Sequence, residues 1–422
     1  MLALIKNEYR KLFRRTQTWV LIGLFLAVMC LGTVFAYYTY RIDQRNQKPE
    51  TQKANIEQQI SYLEENKKQF ANNESKDNQV KEEYESNIDR EIANLRNQID
   101  YLNQVIEKGE ENIDWKSNLK TEIDNQKKTI EEMEKNAETN EGTENFVYLN
   151  NDLNQQKADL EKLQYLYDND IKPIKGSTFD GYSVINKIFT VLGGIILTLG
   201  VIIFSSDIVS GEMNPATVKF LLVQPTTRRK ILLSKFITIV TAAIGLIVGI
   251  QILFFLGIGI TNGFGNGNYP VIVGAKFEVL KTILLSDGSH PIAIIENSMH
   301  IISTSQYFIQ YIGFEILFIL AGSAFGFMLS TICKSATLST VIGIIISIAS
   351  PIFFQVVKGL KKFVHLLFVA YNDPSMILSG MSAQYYNNIH YNGITGIIVL
   401  IVTAVICYIV SDIIFTRKDF AA

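Results

Sequence analysis

The sequence predicts an all-α membrane protein with six transmembrane helices, an amphipathic N-terminal interface helix and a helical coiled-coil or bundle insertion between the first two spans. Three observations predict it. Apolar residues, 48% of the 422, are gathered into six runs, 19–40, 182–204, 231–260, 307–329, 338–357 and 394–415. Each has about the 20 residues that carry a helix across roughly 30 Å of hydrocarbon. Between the first two runs lies a long polar stretch with heptad-like spacing, and before the first lies a short basic helix. The formal net charge of −2 says little, because opposite charges are sorted into different regions.

In residues 1–18, Leu2, Ile5, Tyr9 and Leu12 repeat at helical spacing, with Lys6, Arg10 and Lys11 on other faces. This is a basic helix lying along the membrane surface, suited to anionic lipid, to a docking partner, or to both. The first span, 19–40, is longer than a signal-peptide core and ends in FAYYTY without a small-residue cleavage site, so it reads as a retained span.

Residues 41–181 form the insertion, in which 41–180 hold 20 Lys/Arg against 31 Asp/Glu, a net charge of −11. Ile88, Ile92, Leu95, Ile99, Leu102 and Ile106 alternate at four and three residues. So do Phe146, Leu149, Leu153, Gln156, Leu160, Leu163 and Tyr167; Leu119, Ile123, Gln126, Ile130 and Met133 form a weaker series. Gly109 and residues 141–145 are the natural breaks. Two to four long helices folded back antiparallel satisfy this pattern, the stretch 80–107 alone reaching about 42 Å. The apolar stripe reads as core and the acidic surface as a solvated face. None of the three cysteines, Cys30, Cys333 and Cys407, lies in the insertion, so no disulfide staples it.

Residues 182–422 hold the other five spans. With the N-terminus cytoplasmic, the inner segments carry 13 Lys/Arg and the short outer loops 5, which favours both termini inside and 41–181 outside. Lys358, Lys361 and Lys362 sit on the outer side, against that bias. The outer loop 261–306 opens on the turn-rich NGFGNGNYP, and its apolar segment 279–285 is too short to span and is expected to lie in the interface. His290, His300, His365 and His390 fall in outer loops without metal-ligand spacing, so no metal site is expected. Glu315 and Gln251 are polar groups within spans. Glu315 is expected to face the bundle interior, pair or be protonated, as a contact on a translocation route or as a bond between helices. Gly322 and Gly326, four apart, mark a close-packing face.

The inner loop 205–230 is the most telling stretch. Asn214 followed by Pro215 reads as an N-cap with proline at the first helical position, so a short helix is expected over 215–223. Pro225 ends it. Thr226 or Thr227 then caps the third span. The order Glu212, Leu221 and Leu222, Pro225, Arg228, then Ser234 and Lys235 at the start of a span resembles the permease subunits of bacterial ABC-2-type exporters. The basic N-terminus, the six spans and the terminal IIFTRKDF fit the same family over roughly 1–40 and 182–422.

The resemblance implies the membrane half of an ATP-driven transporter, moving a peptide, lipid, drug or ion outward. Two permease chains, identical or not, would work in lipid with two ATP-binding cassette ATPase subunits, and no nucleic acid is involved. The chain has no G-x-x-x-x-G-K-[ST], so ATP and Mg²⁺ belong to the ATPase and this chain binds no cofactor of its own. By the same resemblance, Asp207, Glu212, Pro215, Lys219, Pro225 and Arg228 are the candidate coupling residues, with Asp207 and Glu212 facing basic groups of the ATPase. The alternative is a membrane-anchored coiled-coil receptor or secretion accessory protein related to these permeases. A secondary transporter would show internal repeats or broken helices with several midplane charges.

Overall fold

Every residue except 72–77, 110–113, 141, 213–225, 285–287, 358 and 418–422 is described by the structure, a computed structural model. Helix α1 (Leu2–Arg14) meets α2 (Thr16–Asn46) at Arg15, whose extended backbone makes the corner. Thr18 Oγ1 fixes the angle by donating to Leu12 O at 2.7 Å, and Trp19 Nε1 donates to Phe13 O at 2.8 Å. Helix α2 runs past the apolar segment into the insertion, which is built as two antiparallel hairpins.

The first hairpin pairs α3 (Pro49–Ala71) with α4 (Asn78–Lys108), burying Ile60 against Ile88, Ile92 and Leu95. Gly109, at φ 77°, ends α4 as the sequence predicts. The second hairpin pairs α5 (Trp115–Thr139) with α6 (Glu144–Asp168) over Leu119, Ile123 and Leu166 at one end and Ile130, Ala137 and Leu153 at the other. Gln126 and Gln156, each in a heptad seam position, hydrogen-bond across the pair. A half-buried polar pair at seam positions penalises register slips.

Among the described residues, six helices are long and apolar enough to cross a membrane. The second crossing differs from the continuous helix expected over 182–204. It is broken into α7 (Gly181–Leu192) and α8 (Ile195–Ser205) at Gly193 and Gly194. Gly194 sits at φ 74°, ψ −120°, a conformation closed to residues with a Cβ. Its freed N–H donates to Asn372 O at 3.1 Å, so the interrupted ladder is completed from elsewhere in the chain. The sequence signal was the glycine pair itself, hidden inside an apolar run.

Helix α9 (Arg228–Asn262) is capped by Thr227, whose hydroxyl accepts from Lys230 N. The loop after it departs from an all-helical picture. Strand β1 (Pro270–Val273) pairs antiparallel with β4 (His300–Ser303), and β2 (Phe277–Val279) with β3 (Ile292–Ile294). The apolar segment 279–285 begins in strand β2; Val279 pairs with Ile292, Ile283 is buried, Leu284 is exposed, and Leu285 lies outside the described residues. Strands of three or four residues are too short for a period of two to show.

The insertion is seated on this β module. Ile294 N donates to Asn151 Oδ1 at 2.8 Å, Asn150 Nδ2 donates to Ile294 O at 3.2 Å, and Ala158 joins the core of Phe277, Ile292 and Ile294. Lys157 bridges Glu134 at 2.8 Å and Glu296 at 2.5 Å. Partial burial works against its charge, but the hydrogen bonds to the two carboxylates outweigh that and raise its pKa.

Helix α10 (Thr304–Ile332), opened by a Ser303–Gln306 capping box, is the centre of the bundle and touches α8, α9, α11 (Ala336–Val356) and α14 (Gly393–Arg417). Between α11 and α14 the chain folds back on the bundle through two 3₁₀ turns, α12 (Pro374–Ser379) and α13 (Met381–Tyr386), burying Val364, Tyr371 and Tyr391. Gly322 and Gly326 do what their spacing predicts. A Cβ on Gly322 would lie 3.0 Å from Val201 Cγ1, and one on Gly326 would overlap Ser205 Oγ. Gly326→Val is therefore expected to lower the melting temperature of the purified protein by several degrees. Gly313→Val, on the same helix where a Cβ meets nothing within 4 Å, should leave it unchanged.

Candidate functional site

The face that carries α1 holds a cluster of four charges taken from three distant parts of the chain. Lys235, about two turns into α9, is buried with 1% exposure, and its Nζ lies 2.8 Å from Glu8 Oε2 and 2.8 Å from Glu212 Oε1. Lys11 closes the ring at 3.4 Å from Glu8 and 3.2 Å from Glu212. Two cations face two anions, so the cluster is neutral and each charge has an opposite partner, the condition under which burial of charge is tolerable. A second pair, Arg15 Nη1 to Asp207 Oδ2 at 3.2 Å, runs parallel to it. Tyr9 adds a hydrogen bond to Thr241 at 2.6 Å. The N-terminal helix is thus bonded to both flanks of the loop 205–230.

A second group of polar side chains holds the other side of the segment after α8. Ser330 Oγ accepts from Val209 N and Ser210 N, both at 2.9 Å. Ser210 Oγ meets Ser339 Oγ at 3.0 Å, Ser339 Oγ donates to Ser206 O at 2.5 Å, and Ser206 Oγ meets Thr340 Oγ1 at 2.7 Å. These bonds satisfy the backbone groups left open where α8 gives way to the 3₁₀ turn Ser210–Glu212, and tie that turn to α10 and α11. At the far end of the loop, Arg228 Nη1 donates to Thr416 O at 3.1 Å and Arg229 Nε lies 3.2 Å from Asp412 Oδ2, joining α9 to the end of α14.

The sequence profile of ABC-2 family transporter proteins matches residues 2–420, nearly the whole chain. The chain belongs to the ABC-2 transporter family. It is also 31% identical over 153 residues to the uncharacterised protein YhcI of Bacillus subtilis (strain 168), a stretch covering 36% of this chain and 41% of that protein. No solved structure matches the chain. The stretch matched in YhcI spans less than half the length of that relative, and the family is one of membrane transporter proteins, in keeping with the long apolar helices of this chain.

Within this ABC-2 chain the predicted site residues divide into three groups. Pro215, Lys219 and Pro225, with the short helix expected over 215–223, lie outside the described residues. Asp207 and Glu212, expected to face an ATPase, are engaged within the chain by Arg15, Lys11 and Lys235, and Arg228 is bonded to α14. These intrachain contacts have a physical cause. The acidic groups fall where the α1 stripe of lysine and arginine lies against the bundle, and a carboxylate buried there is held by the nearest cation. Sequence reasoning missed Glu8. The signal was available, because Glu8 stands three residues after Ile5 and four before Leu12, on the apolar stripe of a basic helix.

Gln251 and Glu315, noted separately in the sequence, meet across spans three and four: Gln251 Nε2 donates to Glu315 Oε1 at 2.7 Å, and both residues are fully buried. The pair bonds α9 to α10, the helix-joining role. Among the described residues no cluster of three or more His, Cys, Asp and Glu is arranged to hold a metal ion. Lys235→Met is expected to cost about 3–5 kcal/mol of stability, because it removes the buried cation that Glu8 and Glu212 share. A thermal or denaturant melt of the purified protein checks this. Replacing Glu8, Lys11, Glu212 and Lys235 together by apolar residues of similar volume should restore much of the loss.

Proposed function

We propose that this chain is the permease of an exporter whose energy comes from a separate ATP-binding cassette ATPase seated on the loop 205–230. A second permease, identical or not, completes the pore. ATP and Mg²⁺ are bound by the ATPase, and both termini are cytoplasmic with 41–181 outside, as the basic-residue bias favours. The observation that carries this reading is the buried Glu8–Lys235–Glu212 network. It bonds the N-terminal helix, the third span and one end of the loop into a single unit.

The loop is anchored at both ends and to different helices. Displacement of its middle by an ATPase would pull on Glu212, and through Lys235 on α1 and α9. The serine group would carry the same load to α10 and α11, and Arg228 and Arg229 would carry it to α14. Pro215, Lys219 and Pro225, in the middle of the loop, are the residues assigned by this reading to meet the ATPase. Asp207 and Glu212 act as anchors instead. A substrate of any of the classes named above is compatible with this mechanism.

Two outcomes test it. Co-expressed with candidate ATP-binding cassette ATPases from the same genome, the tagged chain should co-purify with one of them. Substituting 215–223 by an equal length of Gly/Ser should leave the protein in the membrane fraction but abolish transport-coupled ATP hydrolysis. Recovery of no ATPase, or unchanged coupled hydrolysis, would refute the proposal.

A further inference from the structure

A cleft of about 540 Å³ opens at the insertion-side ends of α7 and α10, roofed by Tyr269 and the tail of the insertion. Its floor is aromatic: Phe189 and Phe308 stack with centroids 5.7 Å apart, and Tyr307 lies beside them. Lys187 lines the cleft, and its Nζ is buried with no hydrogen-bond partner among the described residues. An ammonium withdrawn from water without an acceptor is costly, and buried charges are as a rule paired. Lys162 lines the opposite wall, its Nζ 5.6 Å from the centre of the Tyr269 ring.

The charge balance of the cleft is the reverse of its surroundings. The insertion above it carries a net −11, yet two lysines line the cleft against one carboxylate, Asp180. That carboxylate is already used as the N-cap of α7, accepting from Ser183 N at 2.8 Å and Ser183 Oγ at 3.1 Å. Asp43, at the insertion end of α2, acts on Lys187 through space and forms no hydrogen bond with it. The missing partner of Lys187 is therefore an anion, and the aromatic floor beneath it suits an apolar body attached to that anion.

We propose that this cleft binds the phosphate head group of an anionic lipid, with Lys187 as the primary contact, Lys162 as the second, and the acyl region against Phe189, Tyr307 and Phe308. The geometry supports it in two ways. The cleft lies at the insertion-side end of α10, one of the helices long and apolar enough to cross a membrane, where a lipid head group would be within reach. It also continues past Tyr269, Lys162 and Ile174 into a larger cleft between α4, α5 and α6, so the head group has room on the insertion side. The proposal rests on the multi-pass architecture and not on the ATPase partnership.

Native mass spectrometry of the full chain released from nanodiscs tests it, with phosphatidylglycerol and phosphatidylcholine as separate probes and inorganic phosphate as competitor. The wild type should retain phosphatidylglycerol over phosphatidylcholine. Lys187→Gln should weaken that retention by about tenfold, the loss of one charge-assisted bond. Lys162→Gln should weaken it less, and Lys120→Gln, an exposed site on the insertion, not at all. Equal retention by Lys187→Gln, or equal binding of the two lipids, would overturn the proposal. Displacement of lipid by inorganic phosphate at lipid-like concentration would show a site for the free anion and overturn the lipid assignment. Because no ATPase is present, these results stand apart from the test of coupling.

Discussion

Lys235 carries its charge into the protein interior, and much of the membrane face that bears α1 is arranged around that ammonium. Its two carboxylate partners come from residues 8 and 212, so satisfying one charge fixes the positions of three segments far apart in sequence. An apolar contact in the same place would hold these segments together but would tolerate sliding and rotation. An ion cluster with short, directed bonds does not, and the penalty for any arrangement that leaves a charge unpaired is several kcal/mol. Lys11 brings the cluster to neutrality, which lets it be buried.

The same economy of polar groups recurs deeper in the bundle. Where the second crossing breaks at Gly193 and Gly194, the open backbone is met by Asn372, and Asn372 Nδ2 also donates to Thr198 Oγ1 at 3.2 Å. Where α8 ends, Ser330 takes up two amides that the helix no longer uses. Gln251 and Glu315 bond to each other across spans three and four. Irregular backbone is tolerated at membrane depth only when protein supplies such partners. The fold-back between α11 and α14 exists in part to supply them.

Much of this was legible from residues alone. The six crossings follow from run length, the breaks at Gly109 and near Gly142 from glycine in the left-handed region, and the tight α8–α10 contact from Gly322 and Gly326. Thr227 caps α9 as its position before Arg228 implies. What escaped was non-local. Lys11 and Arg15, which pair with Glu212 and Asp207, lie about 200 residues away from them, and no local pattern tells a carboxylate whether its cation is in the same chain or another. The β module escaped for the same reason, since β1 finds β4 across a thirty-residue separation. Glu8 was the readable exception, an acid on the apolar stripe of a basic helix.

The central claim is that α1 and the start of α9 form one body through the Glu8–Lys235–Glu212 network, and that the proposed ATP-driven motion carries them together. The direct measurement is the distance between spin labels at Asn7→Cys and Lys230→Cys, both exposed positions, in a chain freed of Cys30, Cys333 and Cys407 and reconstituted with its ATPase. The account predicts a single narrow distance that stays the same with and without ATP, and that broadens when Lys235 is replaced by Met. A distance that changes between nucleotide states with Lys235 intact would contradict it.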